Sequence, residues 1–369
     1  MLYKDKNNLN KVKIAKFILH QGETSKPEIA SSLGISMPTV LQNVRELIDD
    51  KIVTEIGSYQ STGGRKAKVL SIVDNVRYAV GIDITQNHIS LILLNLKGNP
   101  VKSNRIRQKF DNSLDYYEFI NYELKQFIAE AEINREKILG VGIALPGIID
   151  KSNELLVKSH ILKLSNVSLK NISQMIEYDV RFENDANSAA MAELNWVNKN
   201  AVYLSLSNTV GGAIYINRSI YLGDNYRSAE FGHIMIETNG RQCYCGKKGC
   251  VDAYCSARIL SESSNDNLTE FFHKIDMNDE NAMKLWECYL EYLAITVANL
   301  RMAFDSDIIL GGYVGGYLGK YMPELNRKVI KYNLFENDTT YLKLCKYQHE
   351  SSAIGIAMSF IERYFETMV

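Results

Sequence analysis

The spacing of apolar residues within residues 1–50 predicts three helices. In the first, over residues 9–19, apolar positions recur on one helical face, as shown by Val12, Ile14, Ala15, Ile18 and Leu19. The second begins at Ser25, where Ser25-Lys26-Pro27-Glu28 has the form of a capping box, and ends at Gly34. The third follows Ser36 and places Val40, Val44, Leu47 and Ile48 on its apolar stripe. Two helices, a short turn containing glycine and a third helix form the layout of a helix-turn-helix.

Two short strands are predicted after these helices, at residues 52–56 and 68–72, with a glycine-rich segment between them. This pattern is typical of a β-hairpin wing whose tip carries Arg65 and Lys66 to a DNA groove or phosphates. A helical oligomerisation arm is the alternative, but it would not require Gly-Gly-Arg-Lys at a hairpin tip. We therefore predict a winged helix-turn-helix that binds DNA. Its predicted DNA contacts are Ser36, Pro38, Thr39, Gln42, Asn43, Arg45, Arg65 and Lys66. Of these, the third-helix residues Pro38, Thr39, Gln42, Asn43 and Arg45 are expected to be exposed.

From residue 78 the pattern changes to short buried strands and long amphipathic helices. Strands are predicted at 78–84, 89–95, 100–107 and 138–145, with a helix at 114–131. A similar order returns later, with strands at 201–205, 212–217 and 307–310 and a helix at 285–304. A repeated unit of this kind predicts an α/β body of two similar lobes that face a cleft.

Charge is distributed unevenly along the 369 residues, although the formal net charge is only −1. Residues 1–72 contain 11 Lys and Arg against 7 Asp and Glu, and the remainder contains 31 against 36. A basic head on an acidic body fits a small nucleic-acid-binding module joined to a second module, although a solvated helical head would show the same balance. No apolar run reaches the roughly 20 residues of a membrane span, and a signal peptide is not apparent. We therefore expect a cytoplasmic protein without a membrane partner.

Three of the six cysteines are clustered in Cys243-Tyr244-Cys245-Gly246-Lys247-Lys248-Gly249-Cys250. In a reducing compartment such a cluster favours metal binding over disulfides, and the glycines let the chain fold around an ion. His233, ten residues upstream, would complete a tetrahedral set. The predicted cofactor is a structural Zn²⁺ held by His233, Cys243, Cys245 and Cys250. A set of small buried cysteines is the alternative, and we expect it to apply to Cys255, Cys288 and Cys345.

A second candidate site follows a predicted strand, at Arg181-Phe182-Glu183-Asn184-Asp185-Ala186-Asn187. At a strand-to-helix turn, Asn184 and Asp185 can project into a cleft, where an amide and a carboxylate suit adjacent sugar hydroxyls. Capping of the helix by Asp185 or Asn187 explains the same residues equally well. Glu230, in Glu230-Phe231-Gly232-His233, adds a carboxylate close to the proposed zinc ligand.

These residues together resemble the ROK family of repressors, open reading frames and sugar kinases, along essentially the whole chain. The resemblance depends on the predicted winged helix, on Glu230-Phe231-Gly232-His233 and on the C-x-C-G-x-x-G-C pattern of Cys243–Cys250. It implies a two-lobed, actin-like (ribonuclease H-like) body with a structural zinc. It also implies sugar contacts by Asn184, Asp185, Glu230 and His233. The family pattern continues with a glutamate that also reaches the sugar. Here the shorter Asp252 stands in its place, and it is the fifth predicted sugar contact.

The ROK kinases carry glycine-rich phosphate loops, and this chain departs from both of them. The first resembles D-x-G-G-T in the kinases and reads Asp83-Ile84-Thr85-Gln86-Asn87 here, whereas the second keeps only two of its glycines, Gly211 and Gly212. Backbone N–H groups need glycine to approach a phosphate closely, so we expect no nucleotide binding and no catalytic residues. Asp185, the general base in the kinases, is then expected to bind a sugar hydroxyl.

The sequence as a whole predicts a sugar-responsive transcriptional repressor that binds operator DNA as a homodimer, with a tetramer as the alternative. A winged helix-turn-helix is expected at residues 1–74, one lobe at 75–194 plus 350–369, and a second lobe with the zinc site at 195–349. Sugar bound between the lobes would alter operator affinity. The alternatives are a sugar kinase and a regulator that responds to a sugar phosphate or to a partner protein. In the sugar-phosphate alternative, Arg227 or His160 would contact the phosphate.

Overall fold

The computed structural model describes residues 2–58, 68–194, 199–217, 219–347 and 350–368, and their side chains from residue 8 onward. The chain forms two compact units. Unit 1 comprises Met1–Ala144, Leu169–Phe182 and Ile356–Val369, and unit 2 comprises Leu145–Ser168 and Glu183–Gly355. The division into a winged helix-turn-helix at residues 1–74 and two lobes stays a prediction.

The first 72 residues contribute three helices and a two-stranded antiparallel sheet to unit 1. Their bounds are α1 (Leu2–Gln21), α2 (Lys26–Leu33), α3 (Met37–Asp49), β1 (Val53–Ser58) and β2 (Lys68–Ile72). The predicted cap of α2 is confirmed, because Ser25 Oγ accepts a hydrogen bond from the Glu28 N–H at 3.4 Å. Gly34 ends this helix in the left-handed conformation, with φ of 63°. Fully buried Ile14, Ile18 and Leu47 confirm the predicted apolar faces.

The remaining elements follow in chain order. The strands are β3 (Tyr78–Ile84), β4 (His88–Asn95), β5 (Pro100–Arg107), β6 (Ile138–Leu145), β7 (Ile148–Asp150), β8 (Leu155–Ser159), β9 (Leu164–Ser168), β10 (Val180–Asn184), β11 (Ala201–Leu206), β12 (Val210–Ile216), β13 (Ser219–Ile220), β14 (Asp307–Gly311) and β15 (Leu342–Leu344). The helices are α4 (Leu114–Glu130), α5 (Lys170–Ser173), α6 (Asp185–Leu194), α7 (Asp252–Cys255), α8 (Ala257–Ser261), α9 (Leu268–Asp276), α10 (Glu280–Phe304), α11 (Gly312–Gly315), α12 (Met322–Tyr332) and α13 (Ser351–Glu366).

Two five-stranded sheets share one topology, which confirms the predicted repeat. Their orders are β10-β6-β3-β4-β5 and β15-β14-β11-β12-β13. In one sheet, β3 pairs antiparallel with β4 and parallel with β6, which comes after the long helix α4. In the other, β11 pairs antiparallel with β12 and parallel with β14, which comes after the long helix α10. Strands β7, β8 and β9 form a separate antiparallel sheet. No described helix is long and apolar enough to cross a membrane.

The long helix α10 begins five residues before the predicted start at residue 285. The reason is local, since the Asp279 carboxylate accepts a hydrogen bond from the Ala282 N–H at 2.8 Å and caps the helix there. The buried face of α10 joins the main apolar core of unit 2, which includes Trp286, Tyr289 and Phe271. This core supports strands β11, β12 and β14 beneath the candidate site.

Candidate functional site

A cavity of about 260 Å³ lies within unit 2. It is lined by four residues that the sequence singled out for sugar binding: Asn184, Asp185, Glu230 and His233. Its other polar lining includes Lys151, Lys158, His160, Glu183, Asn187, Ser205, Ser207, Thr209, Tyr221, Tyr226, Arg227, Ser228 and Tyr244. Pockets for drug-sized molecules enclose roughly 300–1,000 Å³, so this cavity suits a smaller ligand that is rich in hydrogen-bonding groups.

The junction of β10 and α6 brings Asn184 and Asp185 to the cavity. Asn184 Oδ1 accepts a hydrogen bond from the Asn187 N–H at 3.0 Å, and its Nδ2 donates to the Gly147 carbonyl at 2.9 Å. Asn184 therefore caps α6, whereas the sequence alternative gave that role to Asp185 or Asn187. Because Asn184 retains one amide hydrogen and an acceptor site, capping leaves it able to bind a ligand.

Asp185 and Glu230 are two carboxylates that influence each other in this cavity. Burial raises the pKa of Asp185, although backbone N–H groups at the start of α6 partly stabilise its charge. Burial also raises the pKa of Glu230, and the neighbouring Asp185 charge raises it further. A ligand whose hydroxyls donate to both groups would relieve this repulsion.

Glu183 and Lys151 also line the cavity and form an ion pair with each other. The sequence placed Glu183 within the candidate segment without a role, and it did not single out Lys151. Glu183 also accepts hydrogen bonds from the Asn184 N–H at 3.0 Å and from Asn187 Nδ2 at 3.3 Å. The only signal for Glu183 was its position next to Asn184 at the end of β10. These bonds hold the strand-to-helix turn in shape.

The predicted metal ligands lie together. One ligand atom from each of His233, Cys243, Cys245 and Cys250 falls within 4.8 Å of the others. Cys245 Sγ and Cys250 Sγ are 3.8 Å apart, and Cys243 Sγ lies 3.9 Å from His233 Nδ1. Tetrahedral zinc, with Zn–S of about 2.3 Å and Zn–N of about 2.0 Å, separates two sulfurs by roughly 3.8 Å and a sulfur from a nitrogen by roughly 3.6 Å. The arrangement therefore fits a four-coordinate metal ion.

His233 connects this cluster to the cavity. Its Nδ1 faces Cys243, and its Nε2 lies 3.3 Å from the Tyr244 hydroxyl. Burial lowers the pKa of His233, with further lowering by His160 and Lys247, and this favours the neutral ring that a metal requires. Tyr244 was not singled out from the sequence, where its position between two ligand cysteines was the only signal.

The model of the ROK family matches residues 79–363. The chain belongs to the ROK family. The xylose repressor of Bacillus subtilis (strain 168) is 28% identical over 313 residues, which are 82% of this chain and 81% of that protein. The N-acetyl-D-glucosamine kinase of Histophilus somni (strain 129Pt) is 27% identical, over 77% of this chain and 99% of that protein.

The fold also resembles that of a solved ROK protein. The crystal structure of a ROK family transcriptional regulator, described as a homolog of the E. coli MLC protein, superposes with a TM-score of 0.74 at 18% identity. The superposition covers 97% of this chain and 96% of that chain. The α/β ROK body is therefore established for this chain by both sequence and structure.

Asp252, which replaces the ROK glutamate, is not among the residues that line the cavity. It is the first residue of α7, its side chain is fully buried, and Oδ1 accepts a hydrogen bond from the Val210 N–H at 2.6 Å. Arg258 is 4.0 Å from its other oxygen, and burial raises the pKa of Asp252 to about 6. Asp252 therefore supports the start of β12. Its contact with a sugar stays a prediction.

The two glycines retained from the second ROK phosphate loop are explained by packing. A Cβ at Gly212 would lie 2.2 Å from the Phe231 ring, and one at Gly211 would lie 2.9 Å from Ala186 Cβ. At the first loop, the Thr85 N–H already donates to the His88 carbonyl at 2.9 Å. Packing therefore accounts for Gly211 and Gly212, and no bound phosphate is needed to explain them.

The residues predicted to contact DNA divide into three groups. Ser36, Pro38, Gln42 and Arg45 are exposed, and Thr39 is partly exposed. The predicted exposure of Asn43 is wrong, because its side chain is fully buried and Nδ2 donates to the Thr39 carbonyl at 2.9 Å. It shares the inner face of α3 with Val40, Val44 and Leu47. Arg65 and Lys66 lie outside the described residues.

Proposed function

We propose that this ROK protein is a sugar-responsive transcriptional repressor that binds operator DNA. The observation that carries the proposal is the cavity of unit 2, in which Asn184, Asp185, Glu230 and His233 meet beside the four metal-ligand side chains. Such a set of neutral donors and paired carboxylates suits a monosaccharide. The relative named a xylose repressor supports the regulatory role.

The N-terminal head at residues 1–74 is proposed as a winged helix-turn-helix, with α3 as the helix that enters the major groove. Its exposed face offers Ser36, Gln42 and Arg45, which are groups that hydrogen-bond bases and phosphates. Two such heads in a homodimer would contact two half-sites of a palindromic operator in the cytoplasm. A tetramer would present two further heads.

The metal is proposed to be a structural Zn²⁺, which would link the segment after His233 to the loop of Cys243–Cys250 and supply no chemistry of its own. Sugar binding would then be coupled to operator binding by thermodynamic linkage. A sugar that binds more tightly to one conformation favours that conformation, and operator affinity changes by the same coupling free energy.

DNA binding can be tested by gel shift with the DNA upstream of the gene for this protein. The wild type should shift a palindromic fragment, and Arg45→Ala should weaken binding because it removes an exposed cation from α3. Arg65→Ala tests the proposed wing in the same assay. Equal affinities of the wild type and both variants would contradict the docking proposed for the head.

Sugar response can be tested by thermal shift with a sugar library, followed by gel shift with each sugar that stabilises the protein. A kinase is the second candidate, because Asp185 is retained and a relative of this chain is named a kinase. A coupled ATP assay over the same sugars decides between them. We expect no turnover, since the first loop has no glycine and the second keeps only Gly211 and Gly212.

A further inference from the structure

The loop that carries the cysteine ligands also carries Tyr244 into the cavity. The Cys243 N–H donates to the Lys247 carbonyl at 2.8 Å, and the Gly246 N–H donates to the Cys243 carbonyl at 3.1 Å. These bonds close the loop around Tyr244, and metal binding by Cys243 and Cys245 would hold the residue from both sides. The position of the Tyr244 side chain is therefore set by the fold of the metal loop.

Tyr244 forms one aromatic wall of the cavity together with His160 and His233. The Tyr244 ring lies 5.3 Å from the His233 ring and 6.1 Å from the His160 ring, both edge to face. The two histidine rings are 6.4 Å apart. Such a wall presents an apolar surface with polar edges, which matches a sugar ring with its C–H face and its hydroxyls.

The Tyr244 hydroxyl has a defined hydrogen-bonding role beside His233. When Nδ1 of His233 binds a metal, Nε2 keeps its proton and donates across the 3.3 Å separation to the Tyr244 oxygen. The phenolic proton is then free to be donated to a ligand. Tyr244 thus offers a neutral donor in a cavity whose nearby carboxylates, Asp185 and Glu230, accept hydrogen bonds when ionised.

Asp252 does not bring to the cavity the polar group that the family glutamate would bring. The family pattern has a glutamate at this position, but Asp252 is shorter and binds the Val210 N–H instead of lining the cavity. Tyr244, in contrast, lines the cavity together with Glu230 and His233.

We propose that Tyr244 contacts the sugar and sets the sugar preference of this protein, with its hydroxyl substituting for the family glutamate. The inference rests on the proposed sugar-binding function. The proposed ligand is a neutral monosaccharide that accepts one hydrogen bond from the Tyr244 hydroxyl and packs against the Tyr244 ring. A carboxylate only accepts hydrogen bonds, whereas this phenol donates one, so the ranking of sugars depends on Tyr244.

The test is calorimetry of the zinc-loaded full chain with xylose, glucose, N-acetylglucosamine and glucose 6-phosphate. Tyr244→Phe should lower the affinity for the preferred neutral sugar by about tenfold, which corresponds to the loss of one hydrogen bond. It should also change the ratio of the affinities for xylose and glucose. Tyr244→Ala should lower the affinity further, because the ring is also lost. Tyr122→Phe is the control, since this exposed tyrosine of α4 is not among the residues that line the cavity, and it should bind as the wild type does.

Zinc content, measured for each variant, separates a sugar contact from a structural role. Tyr244→Phe should keep its zinc and its melting temperature while losing affinity. If the wild type binds a sugar and Tyr244→Phe binds every sugar of the panel equally well, this inference is wrong and the proposed function stands. Preferential binding of glucose 6-phosphate would overturn the neutral-sugar class, and binding of no sugar would overturn both proposals.

Discussion

Substitution of Gly355 by alanine should destabilise unit 2 at the contact between α13 and α6. Gly355 lies near the start of α13, directly against the backbone of α6. A Cβ there would be 1.6 Å from the Ser188 carbonyl oxygen, 2.6 Å from its carbon and 3.1 Å from the Ala192 nitrogen. These are backbone atoms of a helix, so no side-chain rotation can relieve the clash.

The magnitude follows from the distance. An aliphatic carbon approaches a carbonyl oxygen to roughly 3.3 Å, so the helices must separate locally by about 1.7 Å. Overpacking of this kind costs about 3 kcal/mol at the upper end of its usual range. Alanine recovers about 1 kcal/mol through its better helix propensity. The net loss is about 2 kcal/mol, which corresponds to a fall of roughly 4–8 °C in melting temperature for a unit of this size.

Urea denaturation and thermal melting of Gly355→Ala measure this effect, and sugar calorimetry reports whether displacement of α6 reaches Asp185, its first residue. Gly319→Ala is the control, because its Cβ would meet only Leu344 Cδ1, at 3.9 Å. That variant should match the wild type or gain up to about 1 kcal/mol from the reduced entropy of the unfolded chain. If Gly355→Ala unfolds at the wild-type midpoint, the close packing of α13 on α6 described here is incorrect.

Three further predictions concern the metal cluster and the N-terminal helices. Cys245→Ser should lower bound zinc, measured by atomic absorption, and lower the melting temperature, whereas Cys345→Ser, outside the cluster, should keep its zinc. Glu362→Gln should cost about 0.5–1 kcal/mol in urea denaturation at low salt and little at high salt, because it breaks the 3.0 Å ion pair with Lys16 of α1. Asn43→Ala should cost about 1 kcal/mol of stability through its lost hydrogen bond to the Thr39 carbonyl. Its operator affinity in gel shift, corrected for the folded fraction, should stay unchanged; a specific loss would show that Asn43 reaches DNA.

Local signals in the sequence were sufficient for the elements and for the cysteine cluster. Ser25 caps α2 through a bond to Glu28, only three residues away, and Gly34 ends it by its own backbone conformation. The ligands Cys243 and Cys250 are close in the chain, and the glycines between them allow a tight loop. In each case the interacting groups are neighbours in sequence, so the pattern alone predicts the geometry.

Prediction was weaker where one residue type serves two purposes. Asn43 is polar, yet it occupies the apolar face of α3 three residues after Val40 and four before Leu47, so its polarity gave the wrong exposure. Asn184 was predicted to bind sugar and Asp185 or Asn187 to cap α6, but the cap is Asn184 itself. A shift of one residue at a strand-to-helix turn decides which side chain faces the helix, and residue types do not encode that shift.

The role of Asp252 depends on a contact that spans 42 residues, from the Val210 N–H to its carboxylate. The comparison with the family pattern revealed a missing methylene but not what the shorter side chain would bind. The structure shows that Asp252 supports β12, while Tyr244 of the metal loop enters the cavity. One loop supplies both the candidate metal ligands and this tyrosine. If Tyr244 contacts the sugar as proposed, a substitution at this single position between Cys243 and Cys245 would change the sugar preference and leave the four candidate ligands in place.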